Sequence, residues 1–371
     1  MPLYTRNMLI LLTSICLFFS SFYLLLPTLP LYVQGMGGDQ SHVGIIIGVF
    51  TLSSVLFRPI AGKFTDIYGR KIFLITGAVI FFVSPFFYYR ASAIFTLFLV
   101  RIFHGLGIAA FTVSSVTLIA DMSPLGRRGE AFGAFGLSAM IALSGSPAVG
   151  TWLLTHFSFT GVFAAEALLA GASVFLSVLV KENLHKSSIQ KKGEMKEAFL
   201  PSFIIFLCTI TYGSIVAFLP FFAHDIQNFG LYYTAYALSS VVIRIPVGRI
   251  SDRIKRQKII LPGLITLSAA LILLSQSHSL MLLIISGALY GLGFSSVYPA
   301  LTALLIDRIP DNARARGLSL FTASFDLGIA GGSFVFGFFP LLLIYPLGAV
   351  IALAGTLLFY SMERSNLSSS R

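Results

Sequence analysis

Apolar residues along this chain fall in blocks of roughly 20, separated by short polar breaks. Twelve blocks can be drawn, at 8–33, 42–61, 71–90, 94–119, 130–153, 159–180, 200–222, 231–249, 259–276, 280–306, 316–338 and 341–361. Each is long enough to cross ~30 Å of hydrocarbon. In lipid, every backbone amide must be satisfied within its own segment, so the blocks predict helices. The expected fold is an all-α membrane protein of twelve transmembrane helices. One break is longer, KENLHKSSIQKKGEMKE from Lys181 to Glu197. It predicts a solvated cytosolic linker, 181–198, between six-helix halves at 1–180 and 199–371. A regulatory binding segment is the other reading of that run.

The second signal is internal repetition. GKFTDIYGRK, Gly62 to Lys71, returns at Gly248 as GRISDRIKRQK, 186 residues later. The same offset carries Arg58 onto Arg244, Gly105-Leu106-Gly107 onto Gly291-Leu292-Gly293, Asp121 onto Asp307, and Pro124 onto Pro310. Repeated halves in a very apolar chain point to a secondary transporter with its site at the repeat interface.

Composition and charge sharpen this. The 371 residues are 56% hydrophobic and 11% charged, against about 25% charged in a soluble domain. A net charge of +11 in a soluble protein would raise nucleic acid as a partner. Here the bases crowd into the even-numbered connections and the termini, and the odd-numbered connections hold only Arg90. The positive-inside rule then places both termini in the cytosol of a cell (inner) membrane protein and removes the nucleic-acid reading. Arg6 precedes an apolar run, but no small-x-small cleavage site follows, so the first helix is expected to be retained. Cys16 and Cys208 fit neither a disulfide framework nor a metal site. No Walker loop, HExxH or GxSxG occurs. Neither an enzyme nor a resident cofactor or metal is expected.

Three motifs resemble the major facilitator superfamily. Gly62, Asp66, Gly69, Arg70 and Lys71 match its G-x-x-x-D-[RK]-x-G-R-[RK] loop, with Ile67 where a base is usual. The second copy keeps Gly248, Asp252, Arg253 and Arg256 but has Lys255 in place of the second glycine. Arg101 with His104-Gly105-Leu106-Gly107 is similar to the family's R-x-x-x-G-x-G. Gly133, Ala142, Ser146, Pro147 and Gly150 resemble, with two glycines replaced, the Gly-Pro motif of antiporter members. The resemblance implies two pseudo-symmetric six-helix halves that rock about a central site.

It also implies a cytosolic latch. Gly62 would let another helix approach closely, and Asp66 would accept hydrogen bonds at the N-terminus of the 316–338 helix, near Arg314 to Gly317. Arg70, Asp121, Arg127 and Arg128 would complete the first set, with Asp252, Arg253, Asp307 and Arg316 as its pseudo-symmetric partner. The alternative is that these charges only set orientation. Gly105, Gly107, Pro147 and Gly150 are read as helix-packing positions. Arg58 and Arg244 lie one turn inside their helix ends and either snorkel or touch substrate or a helix end.

Four ionisable residues lie deeper: Arg101, His104, Glu166 and Asp326. Charges at such depth usually face the interior or water. Arg101 and Glu166 sit on the order of 12 Å from their helix ends, so they are expected to pair. Desolvation favours a neutral glutamate and a nearby arginine favours the anion, leaving a carboxyl that exchanges protons; a permanent structural ion pair is the alternative. His104 is either a packed histidine or a proton relay. Asp326 is the sole deep acid of the second half, suited to carrying a proton or binding a cationic group.

Tyr23, Tyr212, Tyr236, Tyr290, Phe294 and Tyr298 are candidate cavity walls, a surface that suits apolar or cationic organic compounds. The resulting expectation is a monomeric transporter that exports a small organic molecule in exchange for protons. Proton-coupled uptake of a metabolite is the runner-up, and a non-transporting sensor or scaffold a remote third.

Overall fold

The computed structural model describes residues 3–124, 127–182, 196–251, 254–309 and 314–369. Among them there are helices and no strand. The chain divides into two compact units, Met1–Ser188 and Ile189–Arg371. The first holds α1 (Arg6–Gly35), α2 (Gln40–Tyr68), α3 (Arg70–Arg90), α4 (Ile94–Met122) and α5 (Arg128–Leu179). The second holds α6 (Phe199–Phe222), α7 (Leu231–Ser251), α8 (Gln257–Ser275), α9 (Leu280–Arg308), α10 (Arg314–Phe336) and α11 (Leu341–Ser369).

At α1, α2 and α9 the helix start is capped by a short polar side chain. Thr5 Oγ1 accepts from Met8 N and Ser279 Oγ from Leu282 N. Asp39 Oδ1 accepts from His42 N at 2.9 Å, and the backbone and ring of His42 hold that carboxyl below its ordinary range. Many spans carry an internal proline, such as Pro27, Pro147 and Pro299, a residue that neighbouring helices make tolerable in lipid.

Among the described residues the blocks at 130–153 and 159–180 run together as the 52-residue α5. A straight helix of that length would run ~78 Å, more than twice the hydrocarbon core. The chain turns at Ser158, whose φ of 57° and ψ of −170° are non-helical. Packing against α1 shows the two limbs. The first limb meets α1 at Gly150, where a Cβ would lie 2.6 Å from Leu24 O. Ser14 Oγ bonds Ser177 Oγ on the second limb at 2.9 Å, and Tyr32 contacts the Phe159 and Phe163 rings. The second limb therefore runs antiparallel to α1, and α5 counts as two spans; with α7, the ten helices long and apolar enough to cross a membrane become twelve spans among the described residues. With α7, 21 residues and ~30 Å long, the remaining spans match the apolar blocks. Large apolar side chains face outward, as at Leu168, Met281, Leu342 and Leu357, which suits a lipid surround.

The offset of 186 is visible in the packing of each unit. A Cβ at Gly77 would come 2.6 Å from Gly107 O, and its counterpart at Gly263 would come 3.2 Å from Gly293 O. A Cβ at Gly105 would fall on Phe50 O and Ser53 Oγ; one at Gly291 would fall on Tyr236 O and Ser239 Oγ. These are the same positions in register. Lipid supplies no hydrophobic drive between helices, so close backbone approach at small residues is what holds them.

Candidate functional site

In the first unit, three elements bring the deep polar residues together. α4 carries Arg101 and His104 one turn apart, α3 carries Tyr88 in its last turn, and the second limb of α5 supplies Glu166. Arg101, His104, Glu166 and Tyr88 are all buried. The expected direct Arg101–Glu166 pair does not form: among the described residues no ion pair joins them. Arg101 Nε instead donates to Ile46 O at 3.2 Å, and Nη1 donates to Tyr88 Oη at 3.4 Å. Its guanidinium lies over the Phe50 ring, 4.0 Å from the centroid, a contact of about 0.5–2 kcal/mol. The planar fork and ring stacking hold Arg101 toward α2 and α3, so Glu166 meets His104: Nε2 is 3.9 Å from Oε1. His104 Nδ1 is 2.9 Å from Tyr88 Oη, and Phe81 packs on the imidazole. Neither Glu166 oxygen has a hydrogen-bond partner, nor does His104 Nε2. Tyr88, the link between Arg101 and His104, was missed from sequence, where it is one aromatic among many.

At the basic end of each unit an ion pair repeats. Arg70 Nε is 3.3 Å from Asp121 Oδ2, and Arg256 Nε is 3.2 Å from Asp307 Oδ2. The two pairs are related by the same 186-residue step. Arg127 makes a bidentate contact with Glu130 on the next turn rather than with Asp121. A Cβ added at Gly62 would meet nothing within 4 Å among the described residues. The side chains of Asp66, Arg128 and Arg316, and Asp252 and Arg253 entirely, lie outside the described residues, as does 183–195 of the expected linker.

Two acids went unnoticed in the sequence. Glu182, read as part of the solvated run, accepts from Arg70 N at 2.6 Å and Lys71 N at 3.0 Å. It satisfies the free amides at the start of α3, where Gly69 has a φ of 100° and no capping side chain. Glu363, 5% exposed, pairs with Arg308 and accepts from Gln257 Nε2 at 2.6 Å. The only available signal was position, an acid just past a last span.

The aromatic candidates of the second unit do converge. Tyr212 stacks on Tyr236 at 5.7 Å. Phe294 lies 6.2 Å from Tyr290 and 6.3 Å from Tyr298. Tyr298 continues the face to Phe325 at 5.7 Å. Tyr290 is tied back by Thr211 at 2.8 Å. Asp326 is buried, and it and Arg244 both lie within electrostatic reach of the Tyr298 hydroxyl. Tyr23, in the first unit, packs against Phe19 and Phe22. Pro147 and Gly150 are buried in α5.

Two repeated helical units and, among the described residues, twelve membrane-length spans with buried ionisable groups within them define a multi-pass membrane transporter. The profile of the Major Facilitator Superfamily matches residues 11–333 and, a second time, 202–370, and the chain belongs to that family. It is a transporter of small molecules, not an enzyme. Its relatives include an uncharacterized MFS-type transporter of Methanocaldococcus jannaschii, 25% identical over 91% of this chain and 93% of that one. Multidrug resistance protein 1 of Bacillus subtilis is 27% identical over 80% of each chain. The staphylopine export protein of Staphylococcus aureus is 25% identical over 86% of each. A crystal structure of a POT family transporter in complex with 5-aminolevulinic acid superposes with a TM-score of 0.84 at 14% identity, over 97% of this chain and 96% of that one. At that identity the likeness concerns the fold.

Proposed function

We propose that this transporter exports a small organic compound across the cell membrane in exchange for protons, as a monomer with both termini in the cytosol. The observation that carries the coupling is Glu166: a fully buried carboxyl, unbonded at both oxygens, beside His104 and in the field of Arg101. A carboxylate held there without partners costs several kcal/mol. Binding a proton relieves that cost, so the group suits alternate loading and release. Export is supported by relatives named as multidrug resistance efflux pumps and an export protein, and by the aromatic face of the second unit. Ring faces attract organic cations, and Asp326 beside them offers a counter-charge.

The duplicated Arg70–Asp121 and Arg256–Asp307 pairs fit a role as rigid struts at the cytosolic ends. Asp66, with Arg70, Arg127, Arg128, Arg316, Asp252 and Arg253, would form and break the closing contacts as the halves 1–180 and 199–371 rock.

The test is transport in proteoliposomes loaded with a pH-sensitive dye. Adding an organic cation such as ethidium under an imposed proton gradient should produce proton movement that depends on the dye. Dye uptake without proton movement would contradict exchange.

A further inference from the structure

Resting on the proton-coupled reading, we infer that Tyr88 fixes the proton of His104 on Nε2 and keeps that histidine neutral, so that the coupled proton resides on Glu166. The argument is an accounting of donors. The arginine side chain has donors only. Arg101 Nη1 lies 3.4 Å from Tyr88 Oη, so the tyrosine oxygen accepts there. Its own proton is left for the other neighbour, His104 Nδ1, at 2.9 Å. Nδ1 therefore accepts. A neutral imidazole with Nδ1 as acceptor carries its hydrogen on Nε2, and Nε2 is the atom that faces Glu166 Oε1 at 3.9 Å.

Making His104 an imidazolium requires a proton on Nδ1. Tyr88 Oη would then accept twice, from Arg101 and His104, and its own proton would turn away from a 2.9 Å acceptor. The groups around the ring reinforce this. From α4 itself comes the Arg101 cation; α2 presents the Phe50 ring, and α3 presents Phe81 and Tyr88. The second limb of α5 supplies Glu166. Tyr32 of α1 fixes the backbone of Tyr88, its hydroxyl donating to Tyr88 O at 2.8 Å. Among the described residues, Glu166 is thus the group facing His104 that gains and loses a proton. On loading, a hydronium ion from water gives up a proton and an O–H bond forms at the carboxylate while His104 keeps its Nε2–H; on release that O–H bond breaks and the proton returns to water. Tyr88 is a positioning residue, acting through His104.

Tyr88→Phe tests this, because it keeps the ring that lies 5.7 Å from Phe163 and removes only the hydroxyl. The readouts are nitrogen NMR of histidine-labelled protein in lipid, with His104 assigned by difference from His104→Gln, and the pH profile of proton-driven transport. In the wild-type protein, His104 should show a bare Nδ1 and a protonated Nε2 across the working pH range. In Tyr88→Phe, Nδ1 becomes free to bind a proton, and imidazolium should appear on acidification. That cation favours the Glu166 anion, so the transport profile should move to lower pH by about one unit, tenfold in proton activity. A wild-type His104 protonated on Nδ1, or a variant with unchanged tautomer and profile, overturns the inference. Driven transport retained in Glu166→Gln would instead overturn the coupling reading, whatever the NMR shows.

Discussion

Glu166 Oε1 lies 3.9 Å from His104 Nε2 across the α4–α5 packing, with both side chains fully buried. The gap is too long for a hydrogen bond, and the atoms on either side of it have no other partner. A permanent structural pair would close it, since an unmade bond between buried polar groups costs about 1–3 kcal/mol. Left open, the pair suits a carboxyl whose charge changes during a cycle.

Arg101 supplies the opposing charge without touching Glu166. Arg101→Ala should move the pH profile of driven transport upward, because the cation that favours the carboxylate is gone. Arg101→Lys should keep the direction of charge but lose the fork to Ile46 O and Tyr88 Oη, giving an intermediate profile. An unshifted profile in Arg101→Ala would mean that the guanidinium acts only in packing.

The Arg256–Asp307 pair is partly exposed, and such pairs are worth about 0–1 kcal/mol, so Asp307→Asn should leave the melting temperature nearly unchanged. Arg70 is buried beside Asp121, so Asp121→Asn should lower it, because a buried cation loses an anionic partner. Asp66→Asn should express normally and cut transport about tenfold, equivalent to ~1.4 kcal/mol of bias between states. Asp252→Asn should do less, since its copy of the motif is degraded. Full activity of Asp66→Asn would reduce the motif to an orientation signal.

Glycines separate packing from sequence pattern. Gly77→Val should destabilise by about 1–3 kcal/mol or more, because α3 and α4 must part, and Gly263→Val should behave alike in the second unit. Gly62→Ala faces open space and should be close to neutral in a thermal melt. Equal losses at Gly62 and Gly77 would contradict the packing described for the first unit.

Asp326 and the aromatic face bear on substrate charge. Asp326→Asn should weaken binding of an organic cation at least tenfold in a fluorescence titration, while a neutral analogue changes little. If both weaken equally, the carboxyl shapes the face rather than pairing with the ligand.

Much of this was legible because lipid leaves few choices. Block length and the absence of water fixed helices, and the 186-residue repeat aligned Arg70 with Arg256 and Asp121 with Asp307 before any distance was known. What the chain did not disclose were choices among neighbours. Depth alone matched Arg101 to Glu166, but it cannot show that Phe50 and Tyr88 draw the guanidinium away. Glu182 looked like one charge in a solvated run, because the bare amides that it satisfies belong to a helix more than 100 residues away in sequence. The turn at Ser158 falls in the break drawn between 153 and 159, because one straight helix cannot supply two spans of hydrocarbon thickness.

The central claim, that Glu166 carries the coupled proton, is tested most directly by Glu166→Gln in proteoliposomes over roughly pH 5 to 9, the range around histidine titration. Amide for acid preserves volume and removes titration. The account predicts that accumulation against a gradient is lost, that substrate counterflow persists, and that thermal stability is unchanged or higher. Proton-driven accumulation at the wild-type level, with its pH dependence intact, would contradict it.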